Sequence, residues 1–246
     1  EISLGLVGSE MCIRDSSNTA QYVIMNWNKA EITAGTFRTL DTASAVLFTS
    51  AYGGDANTIG KLSISGGEFK HASDTQEMIV DHYDETNKGN AVVTGGKFDA
   101  DISKYIPTDY VQSADGTVEK LGETNAVAKV GGTYYKTLAD AVAAAQDGDT
   151  ITLLKDAELT STLNLAKNIT IDGQGKYTIK AANSFTVGSD NKTYCVLYVS
   201  GEVTLKDVTV NGNEKCRVIF CDKGKLTIDG ATITNGKAPN LSLIHI

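Results

Sequence analysis

Several of the features that place a chain quickly are scarce here. No stretch of the 246 residues stays apolar for the roughly 18 positions that a membrane-crossing helix needs, so no membrane insertion of that kind is expected. Proline occurs only at Pro107 and Pro239, and arginine only at Arg14, Arg38 and Arg217. With 30 acidic against 22 basic residues and a net charge of −8, a chain so short of guanidinium groups is a poor partner for nucleic acid. Cysteine is rare too, and Cys12, Cys195, Cys216 and Cys221 lack the paired spacing of zinc ligands.

Glycine, by contrast, is plentiful, at 24 residues, and it sits among Thr, Val, Ile and Asn-Gly or Asp-Gly pairs. Such a composition predicts many short strands joined by tight turns. Both ends read differently. Leu241 to Ile246 are encoded by CTG TCT CTT ATA CAC ATC under one permitted choice of codons, and the opposite strand, read one base in, encodes Met11 to Ser16. Two unrelated protein segments have no reason to share one piece of DNA. The pair resembles the end of a transposon-based sequencing adapter, so residues 1–16 and 241–246 are expected to be adapter-derived and are set aside from fold reasoning. Setting aside Glu1, Glu10, Asp15 and Arg14 leaves 27 acidic and 21 basic residues, a net charge of −6. Three cysteines then remain, an odd number that argues against a disulfide framework and for buried thiols acting as small apolar side chains.

The stretch from Tyr134 to Gly175 organises the second half. Thr137 and Asp140 have the spacing of a capping box, and Leu138, Ala141, Val142 and Ala145 recur at helical spacing. They predict one helix with a narrow apolar stripe of small residues, stopped by Gly148. Strands are predicted over 150–154, 162–165 and 169–172, and Gly131-Gly132 predicts a hairpin ahead of the helix.

Two internal repeats accompany it. One phrase occurs at Ile32 to Phe37, Ile64 to Phe69 and Val93 to Phe98, with its central glycines Gly35, Gly67 and Gly96 spaced by 32 and 29 residues. A drifting period of that size marks a solenoid. Residues 195–212 repeat as 218–235 at an offset of 23, aligning Val203 with Leu226, Leu205 with Ile228, Val210 with Ile233 and Tyr198 with Cys221. Such alignment predicts columns of inward side chains, one rung above the next.

The helix phrase TLADAVAAAQDGDTITL, followed by strands to NITIDGQG, resembles the cap and first coils of right-handed parallel β-helix proteins of the pectate-lyase-like superfamily. The wording VAKVGGTYYKTLADAVAAA is similar to modules repeated in large surface proteins of gut bacteria. The resemblance implies an all-β fold, a right-handed parallel β-helix (solenoid) with one capping α-helix in the second module. With the polar run 113–125 reading as a linker, the chain divides into closing coils of a first module at 17–112 and the cap and first coils of a second module at 126–240. Loops at 51–57 and 82–90 are expected to project outward.

For function, the resemblance implies a fragment of a secreted or wall-attached bacterial protein. The first expectation is a structural stalk or adhesin that meets polysaccharide or host surface glycan and adjoins neighbouring β-helix modules of the same longer chain. The alternative is a polysaccharide lyase or glycoside hydrolase whose catalytic coils lie beyond this stretch. Pectin hydrolases of the fold carry paired carboxylates near Gly-His-Gly, whereas this chain has no Asp-Asp pair, and neither His71 nor His82 lies in such a phrase. No catalytic residue is assigned, and a non-enzymatic role is preferred.

One constellation remains. Aligning Ile171, Leu205 and Ile228 sets Asp172, Lys206 and Asp229 at the same corner of successive coils, with Asp207 beside them. Such a ladder is suited to gripping a sugar hydroxyl or to calcium, the one cofactor considered. The plainer alternative, and the preferred one, is a solvated row with an exposed ion pair worth at most about 1 kcal/mol. Tyr134, Tyr135, Tyr177, Tyr194 and Tyr198 are open to stacking on sugars, but inward packing is expected.

Overall fold

A computed structural model describes residues 2–4, 22–39, 44–51, 60–82, 86 and 88–237. The adapter-like segments 5–16 and 241–246, residues 52–57 of the first projecting loop, and residues 83–85 and 87 of the second lie outside the described residues. The chain is mostly β and divides into two compact units, Glu1–Lys120 and Leu121–Ile246.

In the first unit the strands are β1 (Ile2–Leu4), β2 (Tyr22–Asn26), β3 (Lys29–Ile32), β4 (Thr36–Arg38) and β5 (Ala45–Thr49). They are followed by β6 (Lys61–Lys70), β7 (Glu77–Val80), β8 (Asn90–Phe98), β9 (Tyr110–Gln112) and β10 (Thr117–Lys120). One sheet runs β1-β3-β6-β8-β10-β9, with β4 also on β6, and a second runs β2-β5-β7. Residues 2–4, set aside on sequence grounds, form a parallel strand against Ala30–Ile32.

The repeated phrase is where the first core is built. Ile32, Ile64 and Val93 are parallel partners and are fully buried. Five residues on, Phe37, Phe69 and Phe98 also lie in register, and their rings stack at centroid distances of 4.8 and 4.5 Å with interplanar angles of 10° and 4°. Between the two columns the backbone must kink, and Gly35, Gly67 and Gly96 do so at φ of 123°, 109° and 102°. A Cβ on Gly67 would also stand 3.1 Å from the Phe69 ring, so glycine serves both the bulge and the stack. At the far edge β10 pairs antiparallel with β8, and β9 with β10, closing a parallel sheet with a hairpin. The stretch 113–125, read as a linker because it is polar, therefore contains β10, held inward by the buried Val118. Ile102 joins the core, and the Tyr105 hydroxyl donates to the Ile79 carbonyl at 2.9 Å.

The second unit opens with β11 (Ala128–Val130) and β12 (Thr133–Tyr135), a two-residue Gly131-Gly132 hairpin. Helix α1 (Leu138–Ala144) follows, then β13 (Thr150–Leu153), β14 (Ala157–Leu159), β15 (Leu163–Leu165), β16 (Ile169–Asp172) and β17 (Thr178–Ala181). The remaining strands are β18 (Cys195–Val199), β19 (Glu202–Lys206), β20 (Thr209–Asn211), β21 (Arg217–Cys221), β22 (Lys225–Asp229) and β23 (Thr232–Thr234). From β13 onward the chain returns to the same sheet every third strand. The sheets are β12-β11-β13-β16-β19-β22, β14-β17-β20-β23 and β15-β18-β21, and every pair from β13 on is parallel.

Inner columns follow directly. Ile151, Ile171 and Leu205 are each 0 % exposed, and Ile228 is next in the same register. Val203 pairs with Leu226 and Val210 with Ile233 at the offset of 23 read from the repeat. In the third sheet the offset is 22, so Tyr198 lies over Phe220 rather than Cys221, with rings 6.1 Å apart. An added corner residue accounts for the slip. Two residues separate β18 from β19 and three separate β21 from β22, with Lys223 turning at φ 65°.

Thr137 caps α1, its Oγ1 accepting the Asp140 N–H at 3.0 Å and donating to the Asp140 carboxylate at 2.7 Å. Leu138, Ala141, Val142 and Ala145 are buried as the stripe required. The helix ends at Ala144, ahead of Gly148, because the Asp149 carboxylate takes the Gln146 N–H at 2.7 Å and Gly148 N–H turns to the Asn168 carbonyl. Lys167, which no local pattern singles out, closes that end. Its ammonium donates to the carbonyls of Val142, Ala143 and Ala145 at 3.2, 2.7 and 2.6 Å. Charged donors on a helix C-terminus satisfy orphan acceptors and complement the dipole. Lys167→Met is therefore expected to cost about 1–3 kcal/mol in urea unfolding, and a loss below about 0.5 kcal/mol would show the contact to be idle.

Candidate functional site

Asp172 and Lys206 end neighbouring strands β16 and β19 and are parallel partners, so strand pairing alone brings them together. Lys206 Nζ lies 3.2 Å from Asp172 Oδ2, while Asp172 Oδ1 accepts the Gln174 N–H at 2.8 Å. Both carboxylate oxygens are thus engaged. The Asp172 carboxylate holds the Lys206 ammonium above its ordinary pKa, first by hydrogen bonding and then by charge, with Asp207 and Asp229 adding smaller contributions.

Asp207 serves the turn more than the ladder. It sits at φ 45°, its N–H donates to the Asp229 carbonyl at 2.8 Å, and its own carbonyl accepts the Gly175 N–H at 2.7 Å. Its carboxylate lies over Gly230, where any Cβ would fall 2.3 Å from Oδ1, a constraint that sequence spacing did not reveal. Asp229 is exposed at the end of β22. The four residues share a corner, yet among the described residues no three His, Cys, Asp or Glu side chains gather as a metal site would need. A lysine stands where a cation would have to.

Calcium addition is therefore expected to leave the melting temperature unchanged, and a rise that Asp172→Asn abolishes would contradict this. The ion pair has its own signature in pH. A lysine pKa raised in the folded state contributes stability that is fully present below the unfolded lysine pKa and is lost as pH rises through the folded value. Asp172→Asn should flatten that alkaline limb by removing, at neutral pH, the small contribution of this exposed pair.

A face with more regular chemistry lies beside this corner. Thr150, Thr170, Thr204 and Thr227 occupy one register position on four successive strands, alternating with the buried column. Glu202 and Lys225 are partners on the adjoining column. Together with Asn168, the last three threonines and this pair line an open groove of about 150 Å³. Enclosed small-molecule pockets run to about 300–1,000 Å³, so this one fits the edge of an extended ligand. The repeat contains the signal, since Thr204 and Thr227 are also 23 apart.

The remaining candidates divide. Tyr134 and Tyr198 are half-buried and not among the side chains packed on the core, and Tyr198, expected inward, alternates with the buried Leu197 and Val199 and stacks on Phe220. Tyr135, Tyr177 and Tyr194 pack against the core. Cys195 and Cys216 are buried, and burial pushes the Cys195 thiol up to about 11 and raises that of Cys216. Cys221 departs from the expected buried thiol and is exposed: its register partner Val199 is fully buried, but β21 is the last described strand of its sheet. Among the described residues, no helix is long and apolar enough to cross a membrane.

No family model, no curated protein and no solved structure matches this chain.

Proposed function

We propose that the chain is a structural module of a secreted or wall-attached bacterial surface protein, a stiff right-handed parallel β-helix of the pectate-lyase-like kind that displays its outer face to polysaccharide. The observation that carries this reading is the second unit's return to each sheet every third strand, with inner aliphatic columns and an outer threonine column in step. Stacked rungs pair backbone with backbone along the whole stack, which makes a rigid spacer. A row of hydroxyls about 4.8 Å apart, bordered by Glu202 with Lys225 and by Asp172 with Lys206, offers donors and acceptors at a spacing close to that of sugars along an extended chain. Neighbouring modules of the same kind would continue the rod.

Affinity electrophoresis through gels containing neutral glycans or polygalacturonate tests this. The expected result is retardation by at least one polymer, lost in a Thr170→Val, Thr204→Val, Thr227→Val variant, without new reducing or unsaturated ends. Release of such ends above the buffer control would move the assignment to a polysaccharide lyase or hydrolase.

A further inference from the structure

The sheet that carries the threonine row continues past it onto the hairpin. Its order is β12-β11-β13-β16-β19-β22, and the antiparallel registers set Thr152 opposite Lys129 and Lys129 opposite Tyr134. Residues directly opposite in an antiparallel pair share a face. Thr152 alternates with the fully buried Ile151 and Leu153, so Thr152, Lys129 and Tyr134 all belong to the outer side. The inner side agrees. Leu153 pairs with the buried Ala128, and Ala128 with Tyr135, which packs on the core. Tyr134 is therefore a half-buried ring at the head of an outer column that runs on through Thr152 and Asp172 to Lys206.

The threonine row is the neighbouring column of the same face. With Val130 opposite Ile151, the Gly131-Gly132 turn follows beside Thr150, and a Cβ on either glycine would meet nothing within 4 Å. No described side chain closes that end of the row. Charge along the face is balanced. Lys129, Lys206 and Lys225 stand against Asp172, Glu202 and Asp229, and Asp207 at the adjoining corner tips the balance to the negative side. A face without net positive charge has no long-range attraction for a polyanion.

What the face does offer is one aromatic ring followed by hydroxyl groups in register. A sugar ring without a carboxylate carries the complement, apolar C–H faces for the tyrosine and hydroxyl edges for the threonines. We infer that this face takes an uncharged polysaccharide laid along the stack, with one sugar on Tyr134 and those that follow over the threonine row. The inference rests on the displayed-face reading above and adds to it the class of glycan and the residue that anchors it. From Tyr134 on β12 to Thr204 on β19 the track crosses four strand spacings, about 19 Å, which accommodates several sugars.

The test reads position 134 directly. Trp27 is the chain's single tryptophan, so Tyr134→Trp in a Trp27→Phe background places one fluorophore on the face. Titration with soluble mixed-linkage glucan, galactomannan or arabinoxylan should shift its emission saturably for at least one polymer, and polygalacturonate should leave it unchanged. In affinity electrophoresis Tyr134→Ala should weaken retention by that neutral polymer on the order of tenfold. Tyr134→Leu, which keeps apolar bulk on the hairpin without a flat ring, should weaken it likewise, and Tyr134→Phe should preserve it. Retention that survives Tyr134→Ala and Tyr134→Leu yet is lost in the triple threonine variant would overturn the inference and leave the displayed face standing. So would emission or retention that responds to polygalacturonate and to none of the neutral polymers. An unsubstituted chain retained by no polymer would overturn both.

Discussion

Replacing Phe69 by Ala should remove about 3–5 kcal/mol from the first unit, enough to unfold it at moderate urea if its total lies in the usual 5–15 kcal/mol range. Phe69 is 0 % exposed and is the middle ring of a three-ring stack, in contact with Phe37 on one side and Phe98 on the other. Deleting it removes both offset contacts and leaves a void bounded by two rigid strands that cannot collapse, since the glycine bulges fix their course. Each ring pair adds about 0.5–1.5 kcal/mol beyond burial, which places this substitution near the top of its class. Phe37, at one end of the stack and half-buried, should cost distinctly less. Equal losses at both positions in urea unfolding would mean that the stack does not act as a column.

In the second unit the largest effect belongs to Leu205→Ala, at about 2–5 kcal/mol. Leu205 lies between Ile171 and Ile228 in its column and is fully buried. Its neighbour Thr204 points to the opposite face of the same strand, and Thr204→Ala should change stability by no more than about 0.5 kcal/mol. The contrast between adjacent residues is the useful quantity, because it reads the alternation of the strand directly. If Thr204→Ala cost as much as Leu205→Ala, the faces would be wrongly assigned.

What could be read from the sequence was what repeats at short range. The stripe Leu138, Ala141, Val142 and Ala145 is buried because helical spacing leaves it no other side to face. The three Gly-containing phrases align as strands because each carries an aliphatic residue and a Phe at the same distance from a kink. The offset of 23 holds wherever the corners have equal length, and fails in the third sheet where Lys223 adds a residue. A corner insertion of that kind is invisible to an ungapped alignment, since β21 itself looks apolar in either register.

Contacts made across rungs were harder to see. Lys167 lies more than twenty residues from the helix end it caps, and nothing beside it in the chain announces the role. The strand Thr117–Lys120 is hidden in a polar stretch because a closing hairpin needs only one buried side chain, Val118. At the candidate site, alignment brought Asp172 and Lys206 together correctly as neighbours, and the structure adds that Asp172 spends its second oxygen on the turn at Gln174. The threonine column carries no hydrophobic signal, although it obeys the same register.

The claim on which the rest depends is that successive rungs of the second unit lie over one another in step. Spin labels placed in pairs on the outer threonines measure this by electron paramagnetic resonance. Thr150 with Thr170, Thr150 with Thr204, and Thr150 with Thr227 are one, two and three strands apart. Their backbone separations should rise in equal steps to about 5, 10 and 14 Å. A Thr150 to Thr227 distance no longer than that from Thr150 to Thr170, or one that does not grow evenly along the series, would contradict the stacked arrangement and with it the rigid, displayed face.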